Sequence, residues 1–310
     1  MMDRRKFFRN GSLFTIGATI MNPFQGSANV LDLESVNKNK KAKNIIFLVS
    51  DGMSTGTLNM TDLFLNRKTG KGSNWIQLYK DNRVSRALMD TASANSIVTD
   101  SSAASSSWGG GFRVNNGTLN VSSDGEPYLP IWQKFKKAGK MAGCVTTVPI
   151  THATPAGFCV NSKSRNAQDD IAEQYLELGF DVMMGGGSNY FRSESRKDKK
   201  DMYAAFKAKG YQVVNTRSAM DAATNGKPIL GVFAEDGLPY YVDRNSDENL
   251  KKTVPSLAEM AQKAIDSMKN HKDGFVLQIE SGKVDWAAHA NDISGLIHDQ
   301  IEFDEAVFFR

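Results

Sequence analysis

The sequence predicts an α/β fold with a largely parallel central sheet and helices on both faces. Three observations lead there. From residue 44 onward, short apolar runs alternate with segments of helical periodicity. The chain has 310 residues, 40% hydrophobic and 23% charged, which suffices for a sizeable core. No internal repeat or second domain interrupts the alternation.

The N-terminus stands apart from this pattern. "DRRKFFRNGSLFTIGATIM" sets Arg4 and Arg5 before Phe7 and a short, weakly apolar stretch, and "QGSA" at 25–28 offers small residues for cleavage. Residues 1–28 therefore read as a twin-arginine-like export signal, which predicts the Tat export machinery as a partner and a periplasmic or extracellular location. Residues 29–43, with "NKNKKAKN" beginning at 37, read as a polar linker, and 44–310 as the folded domain. No segment reaches 18 apolar residues, so no membrane span is predicted. A net charge of +4, scattered along the chain, excludes a clustered nucleic-acid footprint.

Within the domain, "NIIFLVSDG" is a buried-type strand, followed by a helical stretch to about Asn66. "SIVTD" is strand-like and ends in Asp100, and "SSAASSSW" then predicts a slim helix starting at Ser101 and ended by Gly109 to Gly111. Further strands are expected in "KMAGCVTTVP", "FDVMMGGG", "YQVVN" and "GFVLQIE". Helices are expected in "LPIWQKFKKAG", "QDDIAEQYLELG", "KDMYAAFKAKG" and "SLAEMAQKAIDSMKN". The last segment, "SGLIHDQIEFDEAVFFR", spaces Leu296, Ile297, Ile301, Val307 and Phe308 helically and carries no stop signal. It predicts a chain cut within or just after a helix whose apolar face lacks cover. Cys144 and Cys159 fit neither a metal spacing nor a disulfide framework; they read as small core residues, with a single bridge left open.

Ligands in parallel sheets bind beyond the carboxyl ends of strands, so chemistry is sought there. Asp51 closes the first strand beside Gly52 and suits a metal, although a turn Asp has the same appearance. Ser101 opens a helix, where free N–H groups favour a phosphate, although a capping serine is the plainer reading. His152 and Thr154 lie two apart before Pro155, which predicts an extended loop with both on one side. Arg165 could clamp a phosphate or simply be a surface charge. Glu280 ends a strand, and Asp285 and His289 follow at helical i, i+4 spacing suited to zinc or to a solvated pair. Each segment is ambiguous alone; their conjunction is much less so.

Together "SDGM", "VTDSSA", "THATPAGF", "SKSR", "MMGGGSNYF" and "QIESGKVDWAAH", spread from residue 50 to 289, resemble the alkaline phosphatase family. The resemblance implies hydrolysis of small phosphate monoesters through a phosphoserine at Ser101, with Ser102 as the neighbouring alternative. It implies two zinc ions and one magnesium ion as cofactors. Asp51 would bridge a zinc and the magnesium site, Thr154 and Glu280 would be magnesium ligands with His152 beside them, and Asp285 and His289 would serve the second zinc. Arg165 would clamp the phosphate, with Trp286 on the substrate side where relatives often carry Lys or His. A homodimer is the family's usual assembly. The family draws further zinc ligands from segments beyond residue 310, so each zinc site is expected to be incomplete here and activity low. The competing readings are a phosphodiesterase, sulfatase or phosphomutase of the same superfamily, and an inactive metal- or phosphate-binding chain.

Overall fold

The computed structural model describes residues 42–308. The predicted export signal and most of the predicted linker lie outside the described residues. Among the described residues, six strands form one sheet: β1 (Ile45–Ser50), β2 (Met141–Pro149), β3 (Val182–Gly186), β4 (Gln212–Val214), β5 (Ile229–Val232) and β6 (Phe275–Ser281). Their order is β1-β6-β2-β3-β5-β4, and every pairing is parallel. Six of the helices flank or brace the strand ends: α1 (Thr55–Thr69), α2 (Ser101–Gly110), α3 (Ala153–Cys159), α4 (Leu257–Met268), α5 (Lys283–His289) and α6 (Ile293–Val307).

Alternation along the strands sends side chains to two separate cores. On one face, Ala142, Cys144 and Val276 join Trp132, Phe158 and Tyr175. On the other, Val145, Leu277 and Ile279 join Met260, Ala264 and Phe303. Helices thus cover both faces, as predicted, and β2 is buried at every position. Such two-sided burial stabilises by about 1.5–3 kcal/mol for each large apolar side chain removed from water.

Four sequence expectations differ from the structure. β5 is not among the predicted strands, because "ILGV" is short and is broken by Gly231. That glycine is required by packing: a Cβ there would lie 2.7 Å from the Phe233 ring and 2.8 Å from Met184. "SIVTD" is not a strand. Ile97 and Val98 are 92% and 72% exposed, and the segment is held by side-chain bonds from Asn116 instead of a neighbouring strand. Thr154 is helical, not extended, because Pro155 falls in the first turn of α3, where its missing N–H and fixed φ are tolerated.

The fourth concerns α6, whose buried face is not the expected apolar stripe. Leu296, Ile297, Ile301 and Val307 are half-buried, whereas Asp299, Gln300, Glu302, Phe303, Asp304 and Ala306 are buried. The acids turn inward because they cap other helices. Asp304 accepts from the N–H groups of Asn74 (2.7 Å) and Trp75 (2.8 Å), and Glu302 from that of Leu257 at the start of α4 (2.9 Å). Asp299 accepts from Tyr241 N–H at 3.2 Å. Three helix N-termini with orphan donors are satisfied by one acidic helix face.

Candidate active site

The ends of β1, β6 and β2 lie side by side and gather the candidate residues. Register pairs Val49 with Glu280 and Thr146 with Glu280, and Asp51 follows directly after β1. Asp51 is anchored by its own N–H, which donates to the Ser281 carbonyl at 3.2 Å. Gly52 then turns at φ +65°, and a Cβ there would sit 2.5 Å from Asp285 Oδ1 and 2.9 Å from its Cα. Only glycine lets α5 bring Asp285 this close to the end of β1.

Ser101 and Ser102 are distinguished by the cap of α2. Asp100, not a serine, is the N-cap, and its carboxylate accepts from Ala103 N–H at 2.8 Å. Ser102 is buried and donates to Asp100 at 2.7 and 2.9 Å, so its hydroxyl supports the cap. Ser101 is free of that duty. Its Oγ donates to Asp51 Oδ2 at 2.9 Å on the wall of a cavity of about 480 Å³. Asp51, Arg165, Asp285, His289 and Trp108 line the same cavity.

Arg165 reaches this cavity from the loop after α3. Its Nη1 donates to Asp100 Oδ2 at 3.0 Å, and its Nη2 lies 3.3 Å from His152 Nε2. Burial opposes ionisation of Asp100, but bonds from Ala103, Ser102, Arg165 and Gly117 hold its carboxyl below the usual range. His152 is the N-cap residue of α3, and burial followed by the Arg165 charge lowers its pKa to about 4. The neutral imidazole that results lets the guanidinium approach without repulsion. Trp286 meets the His152 ring edge-on at a centroid distance of 6.0 Å and is not part of the cavity wall.

Behind Asp51 sits a fully buried layer. Thr154 donates to Asp51 Oδ2 at 3.3 Å, and Thr146 donates to Glu280 Oε2 at 2.6 Å. Burial, and then the Asp51 charge, push Glu280 up to about 8. Asp51 and Asp285 are raised as well, both chiefly by burial. Glu280 Oε1 is buried with no partner. His289, by contrast, is exposed at the end of α5, with Nε2 3.5 Å from Asp285 Oδ1.

Three carboxylates raised chiefly by burial, with the Asp51 charge adding to the rise of Glu280 and Asp285, and an orphan Glu280 oxygen form the donor chemistry of a hard cation. Asp51, Thr154 and Glu280 fit magnesium in kind. Asp285 and His289 fit zinc in kind but supply two donors where four are usual. Among the described residues, no group of three or more His, Cys, Asp or Glu side chains is arranged to hold a metal.

Ser101 and Thr154 both bond to Asp51, Arg165 lies against His152, and Asp285 lies against His289; Glu280 bonds to Thr146, and Trp286 stands off the cavity wall. Two supporting residues were missed. Asp100 both caps α2 and holds Arg165, and its signal was an acid directly before a small-residue helix. Thr146 holds Glu280, and nothing in "CVTTVP" distinguishes it from an ordinary strand threonine.

A family model described as alkaline phosphatase matches residues 42–309. Alkaline phosphatase 3 of Bacillus subtilis is 33% identical over 272 residues, covering 85% of this chain and 56% of that protein. The crystal structure of Thermus thermophilus alkaline phosphatase superposes with a TM-score of 0.81 at 40% identity, over 87% of this chain and 56% of that one. A variant of the TAB5 alkaline phosphatase, with a TM-score of 0.73 at 26% identity, carries Mg in a site termed M3. The chain spans little more than half the length of the first two relatives. With the family model spanning the whole described domain, the chain belongs to the alkaline phosphatase family.

Proposed function

We propose that this site hydrolyses phosphate monoesters with Ser101 as the nucleophile. The observation that carries the reading is the Ser101–Asp51 hydrogen bond of 2.9 Å, made in a cavity that Arg165 also enters. Asp51 Oδ2 is the acceptor toward which the hydroxyl proton is displaced as Oγ attacks phosphorus. The start of α2 presents backbone N–H groups to the phosphoryl oxygens. Arg165, steadied by Asp100, offers paired donors to the same oxygens as charge spreads over them in a loose transition state. The ester oxygen leaves, the phosphoryl group resides on Ser101, and attack by water releases phosphate.

Asp51, Thr154 and Glu280, with His152 beside them, would hold Mg²⁺, and Asp285 and His289 would contribute to Zn²⁺ binding. Bound cations would neutralise the substrate dianion and lower the serine's pKa. Asp285 and His289 supply two of the four donors usual for zinc, so these two alone should hold it weakly. Export under the twin-arginine-like N-terminus and homodimer assembly belong to the same reading. No helix among the described residues is long and apolar enough to cross a membrane.

Acid quenching after exposure to a phosphate monoester with Zn²⁺ and Mg²⁺, followed by peptide mass spectrometry, tests the assignment. A phosphoryl group on Ser101, absent in Ser101→Ala and kept in Ser102→Ala, is expected. Loss of activity in Ser101→Ala should be at least about a thousandfold. A label on another residue, or preference for diesters or sulfate esters in a substrate panel, would overturn it.

A further inference from the structure

Cys144 and Cys159 lie far apart in role but touch in space. Cys144 is on β2 and Cys159 is the last residue of α3. Both are fully buried, and their Sγ atoms are 3.7 Å apart. A disulfide needs about 2.0 Å, so closure asks for a movement of roughly 1.7 Å shared between two side chains.

The position of the pair gives it meaning. On β2, Cys144 lies two residues before Thr146, on the same face. Its register partner on β6 is Gln278, and that of Thr146 is Glu280. The thiols therefore sit one layer beneath the carboxylate cradle. Gln278 ties the layers together: its Oε1 is 3.5 Å from Cys144 Sγ, and its Nε2 donates to the Thr154 carbonyl at 3.4 Å. Cys159 ends the same short helix that begins with His152 as its cap and carries Thr154.

We propose that Cys144 and Cys159 form an intrachain disulfide that staples α3 to β2 beneath the Asp51–Thr154–Glu280 layer. The oxidant is a small-molecule or protein disulfide. One cysteine thiolate attacks it, releasing one thiol and leaving a mixed disulfide. The second cysteine then displaces the other oxidant sulfur, so two electrons and two protons leave with the oxidant. Burial and the neighbouring Cys144 push the Cys159 thiol well above its ordinary value, so the folded pair exchanges slowly. The bridge closes a short loop, whose constraint acts on the unfolded chain. It requires nothing of the proposed phosphate chemistry.

The test is to refold the 310-residue chain with oxidised glutathione, alkylate it under denaturing conditions and measure its mass. A parallel sample is refolded in reductant. The oxidised chain should be two hydrogens lighter than the reduced one before alkylation and should take up no alkyl group at either cysteine. It should melt on the order of 5 °C higher than the reduced chain. Cys144→Ala/Cys159→Ala should melt alike under both conditions. Free thiols after oxidative refolding, glutathione caps on each cysteine, or bonds between chains would overturn the pairing. A bridged chain that melts with the reduced one would overturn the stapling.

Discussion

Two clusters of acids in this molecule make opposite use of charge. Around Arg196, which is 1% exposed, Glu173 and Asp198 approach Nη2 at 2.9 and 2.6 Å, and Asp169 approaches Nη1 at 3.7 Å. Bonds from Arg196 hold the Asp198 carboxyl far below its usual range. At the strand ends, Asp51, Glu280 and Asp285 converge with no such cation at their centre among the described residues, and all three are raised. The nearby Arg165 is engaged by Asp100. One acidic cluster is satisfied internally and the other is not, and this contrast supports the proposed cation site.

The largest expected contrast comes from breaking each cluster. Arg196→Met should lower the unfolding free energy in urea by about 1–3 kcal/mol, because Met fills the space but leaves the Asp169 and Tyr190 carbonyls and three partly exposed carboxylates without their shared donor. Glu280→Gln, measured without metal, should change it by less than about 1 kcal/mol at about pH 4, where the carboxyl is protonated in the folded chain and largely so in the unfolded one, and should raise it at neutral pH, where only the unfolded chain has lost the proton. A large loss in Glu280→Gln would place that cluster in the class of structural ion pairs.

The two clusters should also answer pH with opposite signs. The folded pKa of Glu280, about 8, lies above its unfolded value of 4.5. Its contribution is therefore full below pH 4.5 and lost as pH rises to about 8, by an amount on the order of a few kcal/mol. Asp198 is lowered from 3.8, so its contribution is present above that value and is lost as pH falls through the folded pKa. Urea midpoints taken across pH should show both limbs. Glu280→Gln should flatten the alkaline one alone, and an unchanged alkaline limb in that variant would refute the assignment.

The smallest expected effect sharpens the choice of nucleophile. Ser102→Ala should cost about 1 kcal/mol of stability through the lost bond to Asp100. It should leave phosphoryl labelling of Ser101 in place.

Much of this was legible in the sequence because it depended on residue type at strand ends. Five of the six strands, with Asp51 and Glu280 at the ends of two of them, follow from apolar runs ending in acids and glycine, while Ser101, Arg165 and Asp285 stand out only through the conjunction of motifs. What escaped was support. The inward acids of α6 do not look buried, because hydropathy cannot register three helix N-termini waiting to be capped. Asp100 and Thr146 act by holding Arg165 and Glu280, partners separated from them by 65 and 134 residues. "SIVTD" misled because its apolar pair has strand composition but no partner strand among the described residues.

The central claim is that the strand-end carboxylates form a cation cradle. Thermal melting of the metal-free chain and its Glu280→Gln variant, with and without saturating Mg²⁺ at about pH 8.5, above the folded pKa of Glu280, tests this most directly. The account predicts that Mg²⁺ raises the melting temperature of the unsubstituted chain on the order of 5 °C and leaves the variant unmoved. No shift in the unsubstituted chain, or an equal shift in both, would contradict it.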